Sequence, residues 1–406
     1  MKALVTDSRY RMSLAVIRSL GRSGAEVTAA EDLTYPRYQV IGFHSRYVSH
    51  RVPLASAARE PLRFLEEALQ ICPGHDVFIP VSLAGVMTVS EHAREFRGRT
   101  GVLVPPFPSI IKANDTAELL GVASAIGVPV PATTCQGDGE TAAELAGRLQ
   151  YPVVIKYRRG EDLQLGPSQR YAIVRDGDRF QAVYSHMSAN QERPLVQEYV
   201  PGEGFGVSAL FDQNSRPVVW FAHRRIREYP ASGGPSCFCE SVWEPRMVAY
   251  ALKLLTELAW TGVAMVEFKQ DADSEFRLME INPRFWGSLP LAIAAGVDFP
   301  LLLARLAAGE THPLSGHGSP IGHGEPAYRQ GVCMRYLFQD MLSVKGYMRK
   351  VPERGRFLRE FTRDLFDSGV VDGVFDRDDM CPGFFYTLRA AARVLPRRLR
   401  GSGGDD

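Results

Sequence analysis

The first 110 residues alternate short apolar runs with amphipathic stretches, and this alternation restricts the fold more than any other feature of the chain. Ala3–Val5, Ala25–Ala29, Tyr47–Val52 and Val77–Pro80 read as extended segments. Between them, Ser13–Gly21 carries Leu14, Ile17 and Leu20 at helical spacing, and Pro61–Cys72 places Leu62, Leu65, Leu69 and Cys72 on one face. Gly85–Phe96 reads as a further helix, and Gly101–Val104 as a strand closed by Pro105-Pro106. Strands that alternate with helices predict a parallel sheet covered on its faces. The turn after the first strand, Thr6-Asp7-Ser8-Arg9, has no glycine, so a pyrophosphate cannot approach the backbone there in the dinucleotide manner. The chain also has no G-x-x-x-x-G-K-[ST] phosphate loop.

The 406 residues suffice for two or three domains. Lys plus Arg number 47 against 46 Asp plus Glu, so no global field draws in nucleic acid or an anionic membrane. The local exception is Arg389–Arg400, with Arg393, Arg397 and Arg398 between them; it reads as a solvated helix or tail, or as a surface for a partner or membrane. Six scattered cysteines form no disulfide framework, and the lone pair Cys237-x-Cys239 lacks the second cluster a zinc site needs. The most apolar window, Leu289–Ala308, is interrupted by Asp298, Pro300 and Arg305. These features predict a soluble cytoplasmic protein with no nucleic-acid partner and no membrane insertion.

From about 111 to 310 the pattern changes. Asp115–Gly127 reads as a helix, Pro152–Lys156 as a buried strand ending in a charge, and Arg193–Val200, Gly206–Phe211 and Pro217–Ala222 as strands. Arg246–Ala259 is a long helix. Residues 311–324, rich in glycine and proline and containing His317 and His323, read as a linker to a mixed α/β region over 325–406.

The segment Val263–Arg284 is the most informative. Two extended runs flank a polar turn. With a two-residue loop at Asp273-Ser274, Glu267 lies directly opposite Glu280, at a Cβ separation of about 5 Å. Period-two alternation puts Glu280, Asn282 and Arg284 on that face, and Val266, Phe268, Met279 and Ile281 on the other as core. Facing carboxylates repel, and a hard divalent cation between them, Mg²⁺ or Mn²⁺ with Asn282 as a further oxygen donor, offsets the repulsion. A solvated hairpin face is the alternative. Elsewhere, Lys156 at the mouth of its strand is either a phosphate contact or an ordinary strand-end lysine. The strand Leu195–Val200 can offer backbone groups to an adenine edge, and Glu198 or Glu203 can accept from ribose hydroxyls.

In this order, Ala113-Asn114-Asp115, Pro152–Lys156, Gln197–Glu203, Glu267 and Glu280-Ile281-Asn282-Pro283-Arg284 resemble the ATP-grasp superfamily. The likeness is to its carboxylate–amine ligases of the carbamoyl-phosphate-synthase and biotin-carboxylase type. The resemblance covers about Ile111–Ala308, and the leading domain (1–110) resembles the pre-ATP-grasp domain. It implies an α/β and α+β architecture: a parallel-sheet domain, then two α+β subdomains clasping ATP over 111–310, then the small C-terminal region. It implies that Lys156 contacts the ATP phosphates, that Gln197, Glu198, Tyr199 and Val200 line the adenine pocket, and that Glu203 accepts from ribose. It implies Mg²⁺ (or Mn²⁺) on Glu267, Glu280 and Asn282, with Arg284 as the catalytic cation; a homodimer is compatible with the sequence, which does not fix the oligomeric state. The family often has lysine where this chain has Thr116; Lys112, one helical turn upstream, is the substitute for nucleotide binding. The loop after Lys156 holds one glycine, Gly160, with Arg158 and Arg159 either gripping phosphate or an acidic substrate or solvated.

The implied reaction passes the ATP γ-phosphoryl to a carboxylate, giving an acyl phosphate that an amine attacks, with ADP and phosphate released. The partners are then a small carboxylate and an amine. The basic, then glycine-rich stretch Arg224–Ser236 is expected to be a loop closing on the substrate, with Arg224 or Arg227 as carboxylate clamp and Ser232 nearby; Trp286 and Ser288 border the pocket. The alternatives are transfer of phosphoryl or carboxyl to another acceptor, and a nucleotide-binding module without chemistry.

Overall fold

The computed structural model describes residues 1–160, 163, 165, 169–231, 233–310 and 327–394, with side chains to 390 at the C-terminal end. The first part comprises β1 (Lys2–Val5), α1 (Arg11–Arg22), β2 (Glu26–Glu31), β3 (Val48–Pro53), α2 (Pro61–Ile71), β4 (Val77–Ile79), α3 (Leu83–Glu91) and α4 (Ala93–Phe96). The four strands form the expected parallel sheet in the order β3-β2-β1-β4. The single helix expected over Gly85–Phe96 breaks at His92. The strand expected over Gly101–Val104 reduces to one bridge from Gly101 to Val77. A Cβ on Gly101 would sit 2.2 Å from the Ala307 carbonyl oxygen, so another segment occupies the space beside that stretch.

Two further sheets follow. α5 (Phe107–Asn114) and α6 (Thr116–Ala125) lead into β5 (Thr133–Thr134), α7 (Ala142–Gly147), β6 (Val153–Lys156), β7 (Tyr171–Val174), α8 (Gly177–Ser188) and β8 (Leu195–Glu198). Their strands pair antiparallel in the order β5-β8-β6-β7, a small sheet with Leu145, Val153, Ile155, Phe180, Tyr184 and Val196 packed beneath it. Next come β9 (Gly204–Phe211), β10 (Pro217–Glu228), β11 (Ser236–Ser241), α9 (Pro245–Glu257), β12 (Gly262–Gln270), β13 (Phe276–Asn282), α10 (Leu289–Ala295) and α11 (Phe299–Ala307). The last elements are β14 (Cys333–Arg335), α12 (Leu337–Lys350), α13 (Arg354–Phe366), β15 (Val371–Asp372) and α14 (Cys381–Val394). A seven-stranded sheet, β13-β12-β9-β10-β11-β14-β15, joins the central and C-terminal elements.

The large sheet is apolar on both sides. One side (Phe205, Val207, Ala209, Ala264, Val266, Phe268) packs on α9 and α6 through Met247, Leu254, Leu255 and Leu119. The other (Leu210, Phe221, Met265, Met334) shares one core with α1, α10, α11 and the parallel sheet. The polar cleft begins where this second face runs out of apolar partners. The expected linker over 311–324, the tail beyond Val394 and Ser232 lie outside the described residues. Arg389 is described. It donates to the backbone carbonyls of Arg9 (3.2 Å) and Gln39 (3.4 Å), so the start of the basic run docks on the first domain instead of standing free in solvent.

Candidate active site

The β12–β13 hairpin places Glu267 directly across from Glu280, and Met265 across from Asn282. The expected two-residue loop is not what produces this pairing. The loop is Ala272-Asp273-Ser274, closed by the Asp271 N–H donating to the Glu275 carbonyl (2.9 Å), with Ser274 left-handed at φ 62°. This is the three-residue hairpin geometry, which shifts the register by one. A bulge at Met279, between the pairs Phe268↔Leu278 and Glu267↔Glu280, shifts it back. Met279 is therefore half-buried beside the exposed Glu280, not in the core as alternation predicts. Val266, Phe268, Phe276, Leu278 and Ile281 fill the core face.

The protein itself supplies cations for the two carboxylates. Arg225 on β10 reaches Glu267 with Nη2–Oε2 at 2.5 Å and Glu228 at 3.5 Å. The Asn282 amide donates to Glu267 (3.0 Å) and Glu280 (3.4 Å). Burial raises the Glu267 carboxyl above the ordinary carboxylate range, the Arg225 charge pulls it back, and Glu280 pushes it further up. From the small sheet, Lys156 faces the pair. Burial drags its ammonium down to about 8, and Glu280 partly restores it. Tyr171, paired with Lys156 across β6–β7, donates its hydroxyl to the Gly233 carbonyl (2.7 Å) in the turn between β10 and β11. The two sheets thus face each other across a cleft lined by Lys156 and Tyr171 on one side and Arg225, Glu267, Glu280 and Asn282 on the other.

The crossing from one sheet to the other runs through Glu198–Gly204. Gln197 is buried and donates to Thr133 (3.0 Å). The Glu198 N–H donates to the Ala132 carbonyl (2.8 Å), and its carboxylate accepts from the Ala132 N–H (3.0 Å). The Val200 carbonyl accepts from the Lys269 ammonium (3.1 Å). Among the described residues no hydrogen bond reaches the Tyr199 carbonyl or the Val200 N–H. Gly202 has φ 124°, and a Cβ there would lie 1.9 Å from the Gln270 carbonyl oxygen, so only glycine fits this crossing. Glu203 is exposed, 3.5 Å from Arg224.

Several expected substrate contacts are placed elsewhere. Arg224–Ser236 is not a loop: β10 extends to Glu228, β11 begins at Ser236, and only the turn between them is irregular. Register shifts around Ile226 separate Arg225 from Arg227. Arg225 turns to Glu267, whereas Arg227 is buried (4 % exposed) between Asp340 (2.6 and 2.9 Å) and Asp364 (2.8 Å), over the rings of Phe238 and Phe361. Two carboxylates occupy the Arg227 guanidinium, so it cannot serve as a substrate clamp. Arg224 pairs with Glu240 at 2.8 Å. Arg158 and Arg159 converge on the buried Asp115, which also caps α6 by accepting from the N–H groups of Ala117 and Glu118. Burial would raise that carboxyl, but the two arginines and the helix N–H hold it below its usual range. The arginine pair therefore serves the Asn114-Asp115 corner. Lys112 stands exposed in the last turn of α5.

Arg284 donates to the Phe285 carbonyl (2.8 Å) and lies 3.9 Å from the Met12 sulfur, at the seam between the hairpin and α1. Trp286 is fully buried against Phe299, and Ser288 contacts the His223 ring at 3.2 Å, so both sit in the packed interior beyond the hairpin. Cys237 and Cys239 are free and buried, with thiols pushed up to about 12 by desolvation. Sequence reasoning missed Arg225, Tyr171, Glu228 and Lys269. The available signal was Gly204-x-Gly206, an alternation that strips one face of a strand of side chains and makes room for a long neighbour.

The residues present fit a hard divalent cation. Glu267, Glu280 and Asn282 lie on one face and carry oxygen donors; the Asn282 amide nitrogen now faces both carboxylates, so a half-turn of the amide brings its oxygen to a cation. Among the described residues no three His, Cys, Asp or Glu side chains gather closely enough to hold a metal unaided, so phosphate oxygens or water must complete the shell.

The family model "ATP-grasp in the biosynthetic pathway with Ter operon" matches residues 190–320, which carry the hairpin and the crossing. Methylcrotonoyl-CoA carboxylase subunit alpha, mitochondrial, from Rattus norvegicus is 26% identical over 261 residues, 59% of this chain and 35% of that protein; the chain thus spans about a third of that relative's length. The biotin carboxylase domain dimer of Hydrogenobacter thermophilus 2-oxoglutarate carboxylase, solved with MgADP, ADP and bicarbonate, superposes with a TM-score of 0.62 at 17% identity. That match covers 82% of this chain and 73% of the other. The L-amino acid ligase from Bacillus licheniformis gives 0.57 at 14% identity, covering 76% and 74%. The family model matches the site hairpin and the crossing over residues 190–320, and the solved structures share the fold: the chain is similar to the ATP-grasp family across its site and has the same overall fold as these neighbours.

Proposed function

We propose that the protein is an ATP- and Mg²⁺-dependent carboxylate–amine ligase. The observation that carries this reading is the face-to-face pair Glu267–Glu280 with Asn282, opposed across the cleft by Lys156. In this reading the Val200 N–H meets the adenine edge, with Gln197, Glu198 and Tyr199 shaping the strand behind it. Glu203 accepts from ribose and Lys156 holds the phosphates. Glu267, Glu280 and Asn282 hold the metal, which neutralises phosphate charge during transfer. Arg284 lies two residues beyond Asn282 and keeps its remaining donors for the oxygens of the acyl phosphate or of the tetrahedral adduct.

The biotin carboxylase neighbour, solved with MgADP, supports a magnesium-bound adenine nucleotide as ligand, and its dimeric state supports a homodimer. We read the chain as cytoplasmic; among the described residues no single helix is long and apolar enough to cross a membrane. The likeness to carboxylases supports a second reading, in which bicarbonate is the activated acid. The test is ADP and phosphate release by the purified chain with Mg·ATP and pooled amino acids or other acids and amines. Release that requires an acid–amine pair supports the ligase. Release with bicarbonate alone supports the carboxylase reading, and ADP without free phosphate supports a kinase.

A further inference from the structure

Arg225 lies along a path prepared for it. On β9, Gly204 and Gly206 present no side chain between β10 and β12; Gly206 pairs with both Glu267 and His223. A Cβ on Gly204 would lie 3.0 Å from Arg225 Cδ, and one on Gly206 would lie 2.4 Å from the His223 ring. The Arg225 side chain crosses the strand through this gap and sets its guanidinium on Glu267 at 2.5 Å, with Glu228 at 3.5 Å. The side chain is 15 % exposed, and its Nε has no hydrogen-bond partner. Its charged surroundings are Glu228, Glu267, Glu280 and, on the neighbouring strand, Lys269.

Two cations compete for one carboxylate here. An arginine on one Glu267 oxygen and the Asn282 amide on the other each occupy a lone-pair direction, so a divalent ion meets a resident partner on both oxygens. Among the described residues no three His, Cys, Asp or Glu side chains gather here to hold a metal by themselves. We propose that Arg225 is a resident counter-cation of the Glu267–Glu280 pair, which a divalent ion must displace, and that it moves onto the phosphate oxygens that arrive with the ion. This rests on the pair being the metal site of an ATP-dependent enzyme. It adds a binding order, in which the metal enters with the nucleotide and not before it, and a role for Arg225 as a positioning residue that changes partner.

The test is Mn²⁺ binding to the full-length protein, read from the electron paramagnetic resonance signal of free aquo-Mn²⁺ and independent of turnover. Arg225→Gln is expected to bind Mn²⁺ roughly tenfold or more tightly than wild type without nucleotide, because close buried charge pairs carry couplings of that size. Wild type is expected to gain a similar factor when ADP is added, and the variant to gain less. If Arg225→Gln binds Mn²⁺ equally or more weakly, Arg225 supports the site and the proposal is overturned. Arg225→Lys keeps the charge and guards against misfolding; with either variant unfolded, a wild-type Mn²⁺ affinity indifferent to ADP overturns the proposal by itself. Glu280→Gln separates the two levels. Mn²⁺ binding that this variant does not weaken overturns the metal reading, whereas binding that it abolishes but Arg225→Gln leaves unchanged overturns only the Arg225 proposal.

Discussion

Arg227→Ala separates a structural arginine from a substrate-binding one. In the native chain one buried guanidinium makes three hydrogen bonds at 2.6–2.9 Å to Asp340 and Asp364 and stacks on two phenylalanines. Truncation leaves the buried Asp340 without its cation and Asp364 with only the exposed Arg363. Breaking a buried pair in this way costs about 3–5 kcal/mol. With a urea m-value of about 3 kcal/mol/M, the unfolding midpoint falls by about 1 M or more. The fluorescence of the fully buried Trp260 and Trp286 reports the transition. Arg224→Ala is the internal control: its side chain is 38 % exposed beside Glu240 and Glu203, so the change is expected to stay within about 1 kcal/mol. Replacing Arg227, Asp340 and Asp364 together by apolar residues should recover most of the loss, since no unpaired charge then remains buried. A midpoint unchanged in Arg227→Ala, with turnover abolished in the folded protein, would refute this reasoning and return Arg227 to the substrate.

Glu267→Gln and Glu280→Gln should each lower Mg·ATP turnover by about 10²-fold or more, the scale of losing one preorganised electrostatic contact; an unchanged kcat in both would remove the hairpin from the chemistry. Lys156 sits at about 8 in the folded state against an ordinary 10.5, so its charge is present below that pH and lost above it. The KM for ATP should accordingly rise between about pH 7.5 and 9, and Lys156→Arg should flatten the rise; a flat wild-type profile would contradict the phosphate contact. Gly202→Ala puts a Cβ on the Gln270 carbonyl at a φ that L-residues rarely adopt, which should cost about 1–3 kcal/mol and weaken ATP binding as the two sheets are forced apart; calorimetric ATP titration checks it.

The parallel sheet was legible because its apolar runs have helix-period partners between them, and no glycine in Thr6–Arg9 suggested the wrong ligand. The Glu267–Glu280 opposition follows from alternation, but through a compensation: a one-residue error in the loop cancels against a bulge at Met279 that no side chain announces. The bulge region at Ile226 is equally silent, which is why the sequence points to Arg224 or Arg227 as the clamp and passes over Arg225, the arginine that reaches Glu267. The fate of Arg227 depends on Asp340 and Asp364, more than a hundred residues away. The short strands β7 and β14 have too few residues to show a period. Repulsion between the two glutamates suggested a metal, yet Arg225, Asn282 and Lys156 already moderate it, a compensation visible only in three dimensions.

The last segment of the chain is bonded into the body at several distant points. β14 extends the large sheet beside β11, and Tyr336 donates to the Gly287 carbonyl. Arg18 holds Asp379 at 2.9 Å, while Ser45 and the Arg46 N–H add two more bonds to the same carboxylate. A protease cut anywhere within 311–326 should therefore leave two fragments that travel together through a sizing column, and separately expressed halves should reassemble on mixing. Deleting everything after residue 330 would instead leave β11 as an unpaired sheet edge, an invitation to aggregate.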